Sequence, residues 1–137
     1  IHPESENQAD DIRHLKEKVD AGCEFLTTQM FFDNQVFYDF VDRCRKAGIN
    51  VPIIPGLKPI STIRQISLLP ESFSIDIPQA LTEELRRHAD DKAAVYQIGQ
   101  EWCAGQCRDL IAHGVPAVHF YTMGRPDNII GILRKHF

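Results

Sequence analysis

The stretch Val51-Pro52-Ile53-Ile54-Pro55 contains no polar residue, so it cannot be a strand with one face in water, which would alternate apolar with polar. A strand apolar throughout is buried on both faces, the pattern of parallel sheets covered by helices. Its surroundings repeat that logic. Upstream, Gln8 to Ala21 sets Ile12, Leu15 and Val19 at spacings of three and four, an amphipathic helix stopped by Gly22. A second strand is expected over Glu24–Phe31, followed by a helix capped by Asp33 or Asn34, with Val36, Phe37, Phe40, Val41 and Cys44 on one face, ending at Gly48.

Downstream, Gly56-Leu57-Lys58-Pro59 is expected to be a loop. A helix capped by Ser61 or Thr62 then carries Ile63, Ile66, Leu68 and Leu69 and closes at Pro70. A helical insert over Pro78–Arg87 follows. The longest helix starts at Asp90 or Asp91, carries Val95, Ile98, Trp102, Cys103, Leu110 and Ile111, and ends at Gly114. The last unit is a strand over Ala117–Thr122 and a helix from Pro126 to Lys135 with Ile129, Ile130 and Leu133 inward.

The class is therefore α/β, with about three parallel strands and covering helices. A helix opens the chain where a doubly wound sheet would open with a strand. That order favours the C-terminal part of a (β/α)8 TIM barrel, residues 1–137 forming a partial barrel domain with its N-terminal half absent. The start at Ile1 without methionine agrees with a fragment of a longer protein. Barrel chemistry gathers at the carboxyl ends of strands, which singles out Gln29 and Asp33, Gly56 and Lys58, and Thr122 and Arg125.

Composition narrows the partners. Of 137 residues 43% are apolar and 25% charged, and the formal charge is −4, which gives no electrostatic footprint for nucleic acid or anionic lipid. No apolar run approaches the roughly 18 residues of a spanning helix, and no signal peptide is visible. A soluble, cytoplasmic protein is expected. Cys23, Cys44, Cys103 and Cys107 lie in apolar patterns without CxxC spacing, so core thiols are expected and a metal is not.

Each chemical candidate has a plainer alternative. Gln29 is either a core glutamine or an amide that reads a heterocycle's adjacent donor and acceptor. Asp33 is a helix cap before it is anything else. Gly56 either admits a ligand to the backbone or makes a rigid turn, and the turn is preferred. His119 is expected as a core or interior-facing residue rather than a catalytic one. Tyr121 and Thr122 end their strand, and Arg125 is placed to meet an anionic or aromatic group. Asp11, His14 and Lys18 share one helix face at spacings of three and four. They form a solvated strip, or one that grips a ribose and a diphosphate. There is no GxGxxG and no Walker sequence, so side chains would have to hold any nucleotide.

Six strings, His2-Pro3-Glu4, Leu15-Lys16-Glu17-Lys18-Val19-Asp20-Ala21-Gly22, Thr28-Gln29-Met30-Phe31-Phe32-Asp33, Asp42-Arg43-Cys44, Pro52-Ile53-Ile54-Pro55-Gly56 and His119-Phe120-Tyr121-Thr122, stand in the order and spacing of one family. In them the chain resembles the second half of the methylenetetrahydrofolate reductases. The resemblance implies a (β/α)8 flavoenzyme in which NADH or NADPH reduces FAD. Reduced FAD then passes a hydride to 5,10-methylenetetrahydrofolate, giving 5-methyltetrahydrofolate for methionine synthesis.

Carried over by position, His2, Asp11 and Lys18 hold FAD, with Ser5 and His14 in the same strip. Gln29 reads the folate pterin, and Gln65 and Arg125 lie near substrate. Glu17, Leu69 and Gly124 depart from residues frequent in the family, so the FAD grip and a stacking platform are expected to differ in detail. The general-acid glutamate belongs to the absent half, so the fragment alone is expected to be inactive. A homo-oligomer is expected. The alternative is a half-barrel that binds flavin or folate without catalysis, or a regulatory module.

Overall fold

The computed structural model describes residues 8–73, 75–122 and 127–136. Helix α1 (Gln8–Asp20) ends where Gly22, at φ 117, turns the chain into β1 (Leu26–Met30). Helix α2 (Asn34–Lys46) follows, and Asp33 is its cap, its carboxylate accepting from Gln35 N at 2.9 Å. Then come β2 (Ile53–Leu57), α3 (Gln65–Phe73), α4 (Gln79–Arg87), α5 (Lys92–Ala112), β3 (His119–Phe120) and α6 (Asp127–His136). Of the two aspartates that could cap α5, Asp91 does so, accepting from Ala94 N.

The strands form one parallel sheet in the order β1-β2-β3, so the central strand is the apolar one from which the fold was read. Leu26 pairs with Ile53, and Leu57 with Phe120. Paired residues share a face, and this face is packed by α1 (Ile12, Leu15), α2 (Phe37, Cys44), α5 (Cys103, Cys107, Leu110) and α6 (Ile132). The opposite face shows Thr27 and His119 to solvent. All the helices that cover the sheet thus lie on one side of it, whereas a doubly wound sheet is covered on both. A second apolar cluster sits at the strands' carboxyl ends, where Met30, Phe32 and Ile60 meet Leu69, Leu81, Leu85 and Val95 of α3, α4 and α5.

Several expectations are corrected. Strand β2 runs two residues later than read, so Gly56 and Leu57 belong to the strand and not to a loop. Pro70 lies inside α3, which continues to Phe73; a proline removes one ladder donor and strains one turn, and Leu69, fully packed, holds the helix across it. Strand β3 is two residues long because only Gly56 and Leu57 of β2 face it. On α6 the buried pair is Ile129 and Ile132, while Ile130 and Leu133 are exposed. The four apolar side chains lie in one arc of about 160°, and contact with α5 selects the part of it that is covered. Val36 and Ile111 are exposed, and so is His119, whose ring stands edge-on to Tyr121 at 4.7 Å. Cys44, Cys103 and Cys107 are buried free thiols, as expected, whereas Cys23 is only half-buried and lies outside both apolar clusters, its thiol donating to the Phe25 carbonyl.

Strand β1 is irregular. Thr27 pairs with Ile54 and Met30 with Gly56, so Thr28 and Gln29 together oppose Pro55. One extra residue shifts the side-chain phase. Leu26 and Phe31, five apart, both join the helix-side cluster, which an unbroken alternation would forbid. Proline offers no N–H, and a proline in a central strand is tolerated mainly beside such a bulge.

Candidate functional site

A cleft of about 740 Å3 runs along β1 and past its carboxyl end. Gln29 lines it, with Asp33, Asp39, Arg43 and Asp76 as its charged groups and Leu15, Phe37 and Phe40 among its apolar ones. Gln29 is half-buried, and its side-chain oxygen accepts from Met30 N at 3.0 Å, beside the irregular part of β1. That bond fixes the side chain beside its own backbone. The oxygen keeps a second lone pair, and the NH2 group keeps its donors, for a ligand in the cleft.

The segment after β1 is held from behind by α5. Trp102 Nε1 donates to the Phe32 carbonyl at 2.8 Å, and Gln106 Nε2 donates to the Phe31 carbonyl and to Asn34 Oδ1, each at 3.1 Å. Asn34 Nδ2 in turn donates to the Gln106 carbonyl and to Asp109 Oδ2. The Tyr38 hydroxyl donates to the same carboxylate oxygen at 2.6 Å. Burial, with Asp109 next, pushes the Tyr38 hydroxyl up to about 12, and the bonds from Tyr38 and Asn34 hold Asp109 below the usual carboxylate range. Trp102 was read only as part of a helix face, and Gln106 was not singled out. A glutamine between Cys103 and Leu110 on a buried stripe was the available signal that this helix braces a polar backbone segment.

At the carboxyl end of β2, Lys58 is buried, and among the described residues its ammonium donates only to the Pro59 carbonyl, at 3.3 Å. Burial lowers its pKa, partly opposed by Cys103, whose own thiol burial drives up to about 12. Gly56 has a reason not foreseen. A Cβ there would lie 2.6 Å from Tyr121 Cε2 and 2.7 Å from the Thr28 carbonyl, so the position is kept bare for a tyrosine that crosses it.

The other sequence candidates are placed as follows. His14 and Lys18 are exposed on α1 and Asp11 is half-buried. At about 100° per residue, all three fall within roughly a quarter turn of Leu15, which borders the cleft. Gln65 does not line the cleft; it is the first residue of α3, which starts later than a cap at Ser61 or Thr62 would place it, and its side-chain oxygen accepts from Ser61 N at 2.7 Å and Thr62 N at 3.4 Å in the turn before the helix. Leu69, read as a substitute for a stacking platform, is buried in the second cluster. His2, Ser5 and Arg125 lie outside the described residues, as does Gly124. Among the described residues no group of three metal-ligating side chains occurs, and no helix is long and apolar enough to cross a membrane.

With this geometry in place, the family model for methylenetetrahydrofolate reductase matches residues 1–136. The chain belongs to that family. It is 39% identical over 135 residues to a probable methylenetetrahydrofolate reductase (NADPH) of Caenorhabditis elegans, covering 98% of this chain and 20% of that protein. Similarity to methylenetetrahydrofolate reductase (NADH) 1 of Arabidopsis thaliana is 38% over 128 residues, covering 93% and 22%. For the 5,10-methylenetetrahydrofolate reductase of Escherichia coli the figures are 35% over 127 residues, 93% and 43%. The chain thus spans less than half the length of these relatives. Among solved structures, a Clostridium thermocellum protein described as binding two copies of 5-methyl-5,6,7,8-tetrahydrofolic acid shares the fold at a TM-score of 0.58 and 18% identity, over 93% of this chain and 46% of that one.

Proposed function

We propose that this chain is the late part of a (β/α)8 barrel in a flavin-dependent reductase that converts 5,10-methylenetetrahydrofolate to 5-methyltetrahydrofolate at the expense of NADH or NADPH. Two observations support the barrel: helices cover one face of the sheet only, and the outer edge of β1 is unpaired among the described residues. The observation that carries the function is Gln29, on an irregular strand of a reductase-family chain, lining a cleft with free amide donors. An amide there can pair with the carbonyl and amino edge of a pterin.

The donor set on α1 fits FAD. Asp11 can accept from ribityl or ribose hydroxyls, and Lys18, with His14 beside it, can neutralise a diphosphate. When bound, the flavin supplies two-electron transfer between nicotinamide and folate. The chain's own residues bind and orient, and the general acid that protonates the folate nitrogen is assigned to the remainder of the protein, so the 137 residues alone do not turn over. A cytoplasmic homo-oligomer completes the proposal; sedimentation of the full-length protein checks the assembly.

The test is made in the full-length protein. Gln29→Ala should weaken folate binding by about tenfold or more and leave FAD binding unchanged. Asp11→Ala with Lys18→Ala should do the reverse in a titration of FAD followed by flavin absorbance and fluorescence. Unchanged flavin affinity in the double variant removes α1 from the site, and unchanged folate affinity in Gln29→Ala removes the pterin assignment.

A further inference from the structure

The sheet is crossed by a strut that the reductase reading leaves unused. The Tyr121 hydroxyl, just past β3, donates to the Thr28 carbonyl on β1 at 2.8 Å, passing over β2. It passes where Gly56 has no side chain. Gly56 N donates to Thr28 Oγ1 at 2.9 Å, so the threonine is held from both sides, by its hydroxyl and by its carbonyl. Tyr121 is itself anchored by its backbone N–H to the Leu57 carbonyl at 2.8 Å.

The bonds answer a shortage. Gly56 N, which faces β1 beside the bulge, is spent on the Thr28 hydroxyl, so the Thr28 carbonyl needs another donor. A half-buried carbonyl left without a donor would favour sliding back into regular register. That one-residue slip would exchange the faces on which Gln29 and Met30 stand. The Tyr121 hydroxyl supplies the missing donor, and burial raises its pKa, so it remains protonated at neutral pH.

We propose that Tyr121 is a positioning residue for Gln29: its hydroxyl, reaching across Gly56 to the Thr28 carbonyl, locks the β1 bulge that presents the Gln29 amide to the cleft. The proposal rests on the reading of Gln29 as the folate-binding amide. Specificity is thereby shared between residues 92 positions apart, and the strut needs a threonine on β1, a glycine on β2 and a tyrosine just past β3.

The experiment uses the full-length protein, with 5-methyltetrahydrofolate as the probe ligand and backbone amide hydrogen exchange over residues 26–32 as the second readout. Tyr121→Phe keeps the ring against Gly56 and removes only the hydroxyl. It should weaken the probe by about three- to tenfold, speed exchange in the β1 peptide and leave FAD affinity unchanged. Combined with Gln29→Ala, it should cost little beyond Gln29→Ala alone, since the two act through one contact. A Tyr121→Phe protein with parental exchange at β1 overturns the strut. A loss that adds in full to that of Gln29→Ala also overturns it, because Tyr121 would then act on the ligand independently. If Gln29→Ala binds the probe as tightly as the parent, the pterin assignment fails, and with it the folate role of the strut, whereas unchanged exchange in Tyr121→Phe counts against the strut alone. Gly56→Ala, which pushes the ring aside, should reproduce both effects; if that variant does not fold, Tyr121→Phe decides.

Discussion

Strands β1 and β2 lie side by side and solve opposite problems. β2 is paired on both edges, and Ile53, Pro55, Gly56 and Leu57 are buried. β1 is paired on one edge, is mostly half-buried, and breaks its ladder at Thr28 and Gln29. The strand that fixes the fold offers a ligand little, because its groups are spent on its neighbours. The strand that lines the cleft does so by giving up regularity, and its stability is supplied from elsewhere, by Tyr121, by Trp102 and by Gln106.

The sharpest way to break the comparison is at the exit of β2. A Cβ at Gly99 of α5 would lie 1.7 Å from the Ile60 carbonyl oxygen, so Gly99→Val should leave no folded protein, or cost about 3 kcal/mol or more, seen in soluble yield and thermal denaturation. Next, Leu57→Ala, at a fully buried site of β2, should cost about 3 kcal/mol in urea unfolding, whereas Thr27→Ala, exposed on β1, should stay within about 0.5 kcal/mol. Comparable losses at the two positions would erase the distinction between the strands. A third substitution tests the bulge: Thr28→Val keeps the shape but withdraws the acceptor from Gly56 N, a cost of about 1–2 kcal/mol.

The smallest effect is a pH dependence in the brace behind β1. The Tyr38 hydroxyl is raised from 10.0 to about 12, so its neutral form is the one the fold favours. Its contribution is complete below pH 10 and is lost as pH rises toward 12, where the unfolded chain has already released the proton. Tyr38→Phe should flatten that alkaline limb of a urea midpoint-against-pH curve. The bond partner Asp109 has the opposite sense: held below 3.8, it adds stability above that pH and loses it as acid protonates the native carboxylate.

How much of this was legible follows from where each cause resides. The apolar run at 51–55 located the parallel sheet, because burial on both faces is written in composition alone. The caps Asp33 and Asp91 were legible because a cap and its helix are neighbours in sequence. The bulge was not foreseen, since its donor, Tyr121, stands 93 residues beyond Thr28. Pro55 and Gly56 were a usable hint, a proline and a glycine where a central strand admits neither without cause, but they were taken as a turn. The sequence marked the apolar arc of α6, but not which part of it is buried, since Ile129, Ile130, Ile132 and Leu133 share that arc and packing covers only Ile129 and Ile132.

The missing side chain at Gly99 sets the depth at which α5 seats against the loop after β2. Three residues farther along that helix is the Trp102 indole, and seven farther is the Gln106 amide, which together grip the end of β1. A bulkier residue at 99 would act as a shim: by lifting the helix it would slacken that grip and blunt selectivity in the cleft, from a position with no group of its own to show a ligand.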